Sequence, residues 1–343
     1  MKIAILIPSG YALTSPGDGR KAQIQYQAAA LERMGHTVVR LNPWDTSSVL
    51  PVCDALHIVE GAFGNFVNVQ SRAEVPLVSL ATFIDSNQSF WRYRLVTWLG
   101  TRHPYFLNNA GTFRRQMHNC DLVIVRSRHE RRQVIEGIGV DPARTRVEIV
   151  LNGVNPPPHH DPELARRKFS LPEQYLLHVS SYGDIRKNVP RLIKAVAPTG
   201  LPLVIAGFES KSNNLNEVRT LAGRTKHVQL LPFLDEELLQ SLYAGCRVFC
   251  LPSLHEGTGL VALEAAAHGA GVVITKNGGP PDYFGDLAYY VDPYDVNNIR
   301  QAIQAAWELP RGQQLQQHML TNLTWDQSAQ SLVRVFQQQN RQP

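Results

Sequence analysis

Short, continuous hydrophobic runs recur along this chain and alternate with longer segments of mixed character. The runs lie at 3–7, 37–41, 55–59, 76–81, 121–125 and 147–151, and again at 175–180, 202–207, 228–231, 246–251 and 271–275. Apolar runs of this length are typical of parallel strands that helices cover on both faces. Apolar positions between the first two runs follow helical spacing and end at Gly35, a typical helix terminus. The pattern therefore predicts alternating strands and helices.

The alternation is interrupted once, at residues 152–163, where four of the twelve residues are proline. Proline at this density excludes a regular helix or a central strand. We therefore predict an α/β protein with two tandem doubly wound, Rossmann-like domains at 1–155 and 173–323, joined by a linker at 156–172. Ligands of such sheets bind beyond the carboxyl ends of the strands, so we expect a site in a cleft between facing domains.

Composition narrows the class of protein. The chain has 343 residues, of which 43% are hydrophobic and 18% are charged, as expected for a globular protein of two domains. The opening apolar run is too short for a signal peptide or a membrane span. The four cysteines show no Cys-x-x-Cys spacing, which argues against zinc and disulfides and favours a cytoplasmic location.

The net charge of +5 arises in the first half of the chain. Residues 91–132 contain nine arginines, two acidic residues and several aromatic residues, including Trp91 and Trp98. Such a segment could contact an anionic membrane or a phosphorylated glycolipid from the cytoplasmic side. The alternative, which the sequence alone favours, is a solvated face of a structural helix. Nucleic acid is not expected, because the rest of the chain is neutral and no nucleic-acid motif occurs.

The segment 251–269, LPSLHEGTGLVALEAAAHG, carries the most specific chemical pattern. Gly257 and Gly259 allow the main chain to turn tightly and approach a ligand. A helix is predicted to begin at Leu260, and its first amides suit a diphosphate. Glu264 lies one turn into that helix and needs partners such as ribose hydroxyls, whereas Glu256 precedes the turn and would face a sugar. Two exposed glutamates on an ordinary helix are the alternative.

This segment resembles the signature of the retaining glycosyltransferases of family 4, in which a Gly-aromatic-Gly turn lies between two glutamates eight positions apart. Thr258 stands where the family usually has Phe. The resemblance implies the two-domain GT-B architecture, with a terminal helix at 324–340 that packs back on the first domain. It also implies transfer of a sugar from a nucleoside diphosphate donor with retention of anomeric configuration. Amides of Gly257, Thr258, Gly259 and Leu260 would then contact the donor.

A second motif, SSYGDIRKN at 180–188, places adjacent cations before a helix. Arg186 and Lys187 suit a diphosphate leaving group, whose developing charge they would neutralise in place of a metal ion. Two basic residues at a helix start can equally be solvated surface. The resemblance favours the phosphate role, most clearly for Lys187, although Tyr182 stands where many members have a further Arg. No Asp-x-Asp triplet occurs, so no metal or other cofactor is expected.

The remaining candidates depend largely on the resemblance. Gly17 and Gly19 correspond to a loop that closes over the donor diphosphate, although a plain turn explains these glycines equally well. Pro232 and Phe233 follow a strand where family members bind the nucleobase. Asp85 is a candidate contact for the acceptor, against a turn-forming role.

We therefore expect a metal-independent, retaining hexosyltransferase that acts on a glycan, glycolipid or small-molecule acceptor. Lys187, Arg186 and Glu256 are expected to act at the reacting sugar phosphate. Two alternatives stay open: a catalytically silent nucleotide-sugar-binding or scaffold protein, and an NAD-dependent oxidoreductase. The missing Gly-x-Gly-x-x-Gly fingerprint argues against the oxidoreductase.

Overall fold

The chain forms two units, each built on its own sheet. A computed structural model describes residues 1–6, 19–41, 51–59, 75–84, 89–102, 109–158, 161–210 and 213–339. Unit 1 comprises Met1–Gly153 and Trp325–Pro343, and unit 2 comprises Val154–Thr324. The chain therefore passes from unit 1 to unit 2 after Gly153 and back to unit 1 after Thr324.

Unit 1 contains six described strands and the helices between them. In chain order these are β1 (Lys2–Leu6), α1 (Gly19–Arg33), β2 (Thr37–Leu41), β3 (Ala55–Val59), β4 (Val78–Ala81), α2 (Phe90–Arg102), α3 (Asn109–His118), β5 (Leu122–Val125), α4 (Arg128–Arg132), a π-helix (Gln133–Ile138) and β6 (Arg146–Ile149). The strands are parallel in the order β2-β1-β3-β4-β5-β6. The order reverses between β1 and β3, as in a doubly wound sheet.

Unit 2 follows the same plan. Its elements are α5 (Leu164–Phe169), β7 (Leu176–Val179), a 3₁₀-helix (Ile185–Lys187), α6 (Val189–Val196), a second 3₁₀-helix (Ala197–Thr199), β8 (Leu203–Ala206), α7 (Asn213–Arg224), β9 (Val228–Leu231), α8 (Glu236–Gly245), β10 (Val248–Leu251), α9 (Leu260–Ala267), β11 (Gly271–Thr275), α10 (Pro280–Phe284), β12 (Tyr289–Val291), α11 (Val296–Glu308) and α12 (Gln313–Asn322). The parallel order β12-β11-β10-β7-β8-β9 reverses between β7 and β10.

The predicted fold class of two doubly wound sheets is therefore confirmed. Every residue of β3, β4, β5, β7, β8 and β10 is buried, as continuous apolar runs in covered parallel strands require. β12, a short edge strand that is only partly buried, was missed from the sequence, although residues 287–291, LAYYV, form a continuous apolar run. No helix within the described residues is long and apolar enough to cross a bilayer.

The last helix, α13 (Trp325–Gln339), packs within unit 1. Its Asp326 accepts hydrogen bonds from Arg33 of α1, and Trp325 lies 5.8 Å from the ring of Tyr26. Phe336 is fully buried and contacts His57 of β3 edge-on. These contacts place α13 against the elements that precede the interruption at 152–163.

Candidate functional site

The loop that follows β10, residues 252–259, is held from both sides by the loops of the neighbouring strands. On the β7 side, the Leu254 amide donates to the Arg186 carbonyl at 2.8 Å, and Asn188 Nδ2 donates to the Pro252 carbonyl at 2.8 Å. On the β11 side, Asn277 Nδ2 donates to the Leu254 carbonyl at 3.1 Å. Parallel strands end at one edge of their sheet, so the loops after β7, β10 and β11 meet at the reversal of strand order.

Glu256 is fixed in this loop through its backbone. Its amide donates to the Asn277 carbonyl at 3.1 Å, and the Gly279 amide donates to its carbonyl at 2.9 Å. Gly278, between these partners, has a φ of +106°, and a Cβ there would lie 2.0 Å from the Glu256 carbonyl oxygen. Only glycine satisfies both conditions. The close approach of two loops therefore determines where the Glu256 side chain lies.

The Glu256 carboxylate forms ion pairs with both predicted cations. Lys187 Nζ lies 2.7 Å from Oε1, and Arg186 Nη1 lies 3.3 Å from Oε2. The side chains of Glu256 and Lys187 are 6% and 14% exposed, whereas that of Arg186 is 39% exposed. Arg186 Nε also lies 3.9 Å from Asp184 Oδ2, so two cations and two carboxylates give these four groups no net charge. Arg186 is the more accessible of the two cations, so its guanidinium is the group that an anionic ligand can reach first.

The ionisation of Glu256 follows from these neighbours. Burial alone would raise the pKa of its carboxyl, but the positive charges of Lys187 and Arg186 outweigh burial and hold the pKa below its ordinary value. The carboxylate is therefore charged at neutral pH. It can accept hydrogen bonds from hydroxyl groups and cannot serve as a proton donor there.

The cations are positioned by a short 3₁₀-helix, Ile185–Lys187. Asp184 begins it and accepts a hydrogen bond from the Arg186 amide at 2.9 Å. Asn188 ends it with a φ of 59°, and its side chain donates to the Pro252 and Pro293 carbonyls. Asparagine is among the residues that tolerate this left-handed conformation. Asn188 therefore turns the chain into α6 while it holds the β10 loop.

The glycine turn leads into α9 at Leu260, where the sequence predicted a helix to begin. Gly259 precedes this helix with a φ of +78°, and a Cβ there would lie 3.2 Å from Ile274 Cδ1. Gly257 does not share the left-handed conformation. Thr258 is buried, with its hydroxyl 3.3 Å from that of Tyr283. The threonine that departs from the family pattern is therefore packed against the body of unit 2.

Glu264, on α9, has a different partner from Glu256. The hydroxyl of Tyr243, a fully buried residue of α8, donates to Glu264 Oε2 at 2.9 Å. Burial raises the pKa of Glu264 to about 7; the hydrogen bond from Tyr243 opposes this rise, and the charge of Glu236 adds to it. Among the residues that the structure describes, no Lys or Arg forms an ion pair with Glu264. A partly buried carboxylate of this kind is costly for the fold and typical of ligand sites.

The loops after β8 and β9 contribute an aromatic pair. Phe233 stacks on Phe208 with ring centroids 4.2 Å apart, and it remains 52% exposed. Pro232 beside it is also exposed. Tyr182, in the loop after β7, is buried and donates its hydroxyl to Glu209 at 3.1 Å. In this chain that tyrosine is part of the packing between the β7 and β8 loops.

Of the three site residues that the sequence predicted in unit 1, the structure describes one. Gly17 and Asp85 lie outside the described residues, and Gly19 is the first residue of α1. The sequence missed Glu130, a buried carboxylate at the carboxyl edge of this sheet. Glu130 accepts hydrogen bonds from Thr82, from the Ile84 amide and from Arg126. It therefore ties the loop after β4, which leads to Asp85, to the end of β5.

Two further features of unit 2 were missed from the sequence. Tyr243 carried no signal, because it lies 21 residues from Glu264, on a helix of mixed polar and apolar residues with no recognisable motif. The pair Gly278–Gly279 could have been found, since two adjacent glycines in the loop just after a buried strand indicate a close backbone approach. Within the described ranges, no three His, Cys, Asp or Glu side chains cluster as metal ligands do.

Comparison with known proteins gives one family match. Residues 162–322 match the family model "Glycosyl transferases group 1". The serotype-specific mannosyltransferase WbdA of Escherichia coli is 32% identical over 149 residues, which are 40% of this chain and 18% of that protein. A D-inositol 3-phosphate glycosyltransferase of Salinispora tropica is 30% identical over 250 residues, 63% of this chain and 51% of that protein. The chain thus spans well under two thirds of these relatives.

Solved structures agree with the fold over nearly the whole chain. A sucrose-phosphate synthase of Thermosynechococcus elongatus superposes with a TM-score of 0.75 at 18% identity, covering 98% of this chain and 99% of that one. Identity this low shows shared architecture alone.

Proposed function

Residues 162–322 belong to the group 1 glycosyl transferases, and from this premise we propose that the protein transfers a sugar from a nucleoside diphosphate donor to an acceptor hydroxyl with retention. The observation that carries the proposal is the cluster of Arg186, Lys187 and Glu256 at the reversal of strand order in unit 2. It combines cations for a diphosphate with a charged carboxylate for sugar hydroxyls. The pyrophosphate of a nucleotide binds at this position in doubly wound sheets.

The roles follow from charge and accessibility. Arg186 and Lys187 neutralise the donor diphosphate, and the first amides of α9 bind its oxygens. Lys187 has three N–H donors, and Glu256 occupies one of them. Two donors therefore remain for phosphate oxygens without loss of the ion pair. Glu256 accepts hydrogen bonds from the donor sugar, and Glu264 accepts them from the ribose.

The transfer step needs no enzymic nucleophile. The bond between the anomeric carbon and the phosphate oxygen breaks, and the leaving nucleoside diphosphate takes both electrons. The acceptor oxygen forms its bond to the same face of that carbon, and its proton passes to the departing phosphate oxygen. Lys187 and Arg186 stabilise the negative charge that grows on the phosphate, which is the usual work of preorganised cations. We propose that this charge balance makes a divalent metal unnecessary.

The acceptor is a hydroxyl of a glycan, a glycolipid or a small molecule. Two relatives support this range, because one is named a mannosyltransferase and the other a D-inositol 3-phosphate glycosyltransferase. The donor sugar and its base are left to experiment.

The first test is thermal-shift screening of UDP, GDP and ADP sugars in buffer with EDTA. A donor at about 100 times its dissociation constant stabilises the protein by about 2.7 kcal/mol, which raises the melting temperature by several degrees. Turnover of the stabilising donor is then followed by release of nucleoside diphosphate, and the anomeric configuration of the product by NMR. An inverted product contradicts retention, and a requirement for metal contradicts metal independence. No shift with any nucleotide supports the silent-scaffold alternative.

The second test compares two lysines of unit 2. Lys187→Met removes the proposed phosphate ligand, whereas Lys194→Met removes an exposed lysine that pairs with Glu217 at 2.8 Å. We expect kcat to fall at least 100-fold for Lys187→Met and to stay within twofold for Lys194→Met. Equal activity of the two variants would show that the cation cluster does not act on the leaving group.

A further inference from the structure

Helix α2 of unit 1 carries a stripe of hydrophobic side chains that are exposed to solvent. Tyr93, Thr97 and Gly100 form its inner face, and a Cβ at Gly137 of the π-helix would lie 3.1 Å from Tyr93. The opposite face carries Trp91, Leu95 and Trp98, which are 69%, 49% and 43% exposed. Their spacing places all three on one line of the helix. Exposed tryptophans in a stripe are unusual for a solvated face, which the sequence alone had favoured here.

Arginines surround this stripe without acidic residues among them. Residues 86–120 contain five arginines and no Asp or Glu. None of Arg92, Arg94, Arg102, Arg114 and Arg115 forms an ion pair with a carboxylate of the described residues. Arg94 donates instead to the carbonyls of Ile135 and Glu136, and the guanidinium of Arg102 lies 5.0 Å from the ring of Trp98.

Five arginines elsewhere in unit 1 form ion pairs with carboxylates. Ion pairs join Arg33 to Asp326, Arg40 to Glu32, Arg126 to Glu130, Arg132 to Glu136 and Arg146 to Glu148. Arg131, Arg144 and Arg334 also form no ion pair with a described carboxylate, but five such arginines lie together on α2 and α3. Excess positive charge on one face raises the local concentration of anions and destabilises the fold through self-repulsion, so it indicates an anionic partner.

The stripe and the arginines border one depression of the surface. Trp91, Arg94, Leu95, Trp98, Arg114 and Ile138 line a shallow groove of about 450 Å³. Four of these lining residues are apolar or aromatic, and the other two, Arg94 and Arg114, carry guanidinium groups. An amphipathic anion, with a charged head beside an apolar tail, fits this chemistry.

We propose that the outer face of α2 docks unit 1 on an anionic lipid bilayer. Trp91, Leu95 and Trp98 enter the boundary between headgroups and acyl chains, and Arg92, Arg102 and Arg114 contact lipid phosphates. Tryptophan suits this boundary because its ring is largely apolar and its N–H is polar. A second copy of the chain fits this face less well than a bilayer. A symmetric contact would bring the arginines of both copies together, and their like charges would repel.

The proposal is independent of glycosyl transfer, and its test needs no nucleotide sugar. The purified protein is sedimented with vesicles of phosphatidylcholine alone or with 30% phosphatidylglycerol. We expect binding to the anionic vesicles only, and weaker binding as salt rises. Tryptophan fluorescence should shift to shorter wavelength, and brominated lipid should quench it. Absence of binding and of quenching overturns the proposal without any variant.

Variants then locate the contact. Arg92→Gln/Arg102→Gln should weaken partitioning about 25-fold, since each arginine contributes about 1 kcal/mol at an anionic surface. The matched control, Arg224→Gln/Lys226→Gln, removes two exposed cations of unit 2 and should leave binding unchanged. Trp91→Ala/Trp98→Ala should weaken partitioning at least 10-fold and abolish quenching, whereas Leu287→Ala/Leu309→Ala should not.

Folding is checked by the melting temperature of each variant. If α2 and control variants bind equally, the docking face is elsewhere and the proposal is wrong. If sedimentation velocity instead shows a dimer that Trp91→Ala/Trp98→Ala dissociates, and vesicles do not bind, the occupant is a second copy.

Discussion

The raised pKa of Glu264 predicts that this residue destabilises the ligand-free protein at alkaline pH. In the folded protein its carboxyl loses a proton at about 7, whereas the ordinary value is 4.5. The folded state therefore binds the proton more tightly than the unfolded state, and stability falls as pH rises from 4.5 through 7. The separation corresponds to about 3 kcal/mol at 1.36 kcal/mol per pH unit.

The perturbation is Glu264→Gln, which removes the charge and keeps an oxygen that can accept the Tyr243 hydrogen bond. Between pH 5 and pH 8, the stability of the variant relative to the wild type should rise by about 2.5 kcal/mol. The remaining titrating groups are common to both proteins and cancel in this difference. The neighbouring charge of Glu236 is also retained, so its repulsion acts only on the wild-type carboxylate.

Urea unfolding, followed by circular dichroism at both pH values, measures this difference. Glu217→Gln is the control, because Glu217 is 47% exposed and should change stability by less than 1 kcal/mol at either pH. A Glu264→Gln effect that is the same at pH 5 and pH 8 would refute the reasoning. So would a variant less stable than the wild type at pH 8.

The same substitution should weaken donor binding, although it stabilises the free protein. A carboxylate kept at a cost to folding is expected where a ligand supplies the missing partners. Opposite signs for stability and donor affinity would therefore support a binding role for Glu264. A stabilised variant with unchanged affinity would contradict that role.

Three further predictions test the surroundings of the site. Tyr243→Phe should weaken donor binding about 10-fold and move the acid limb of the binding pH profile upward, because the Tyr243 hydrogen bond lowers the pKa of Glu264 and its loss raises that pKa. The control Tyr175→Phe, which removes a hydrogen bond to the Leu242 carbonyl, should change neither quantity. Gly278→Ala should destabilise unit 2 by more than about 2 kcal/mol in urea unfolding, whereas Gly223→Ala, with open space around it, should be neutral or stabilising. Glu130→Ala should cost about 3 kcal/mol or more in the unfolding of unit 1, because Arg126 loses a buried partner.

Much of the fold could be predicted, because burial on both faces leaves a direct trace in the sequence. Each of the eleven apolar runs corresponds to one of the strands β1–β11. The start of α9 at Leu260 was also predicted, since a glycine turn followed by apolar helical spacing marks a boundary locally. β12 was missed although residues 287–291, LAYYV, form an apolar run of five residues, so this strand could also have been predicted.

The site was less predictable, because its contacts depend on strand order. Lys187 and Glu256 are 69 residues apart, and their 2.7 Å contact exists because β7 and β10 are neighbours. Spacing along the chain could place both residues at the carboxyl edge but could not pair them. Tyr243 illustrates the same limit, since a tyrosine on the inner face of a helix is an ordinary core residue until the opposing carboxylate is known.

The ion pair of Lys187 and Glu256 limits how the donor can bind. A buried carboxylate loses several kcal/mol of hydration, and the two cations compensate for that loss. A diphosphate that withdrew Lys187 completely would leave Glu256 buried with Arg186 alone, so productive binding must add the phosphate to the existing pair. When the cations bind phosphate, they stabilise the Glu256 charge less. Sugar hydroxyls that donate hydrogen bonds to Glu256 compensate for that loss. A nucleoside diphosphate without its sugar lacks those hydroxyls, and the intact donor should therefore bind more tightly than its nucleotide product.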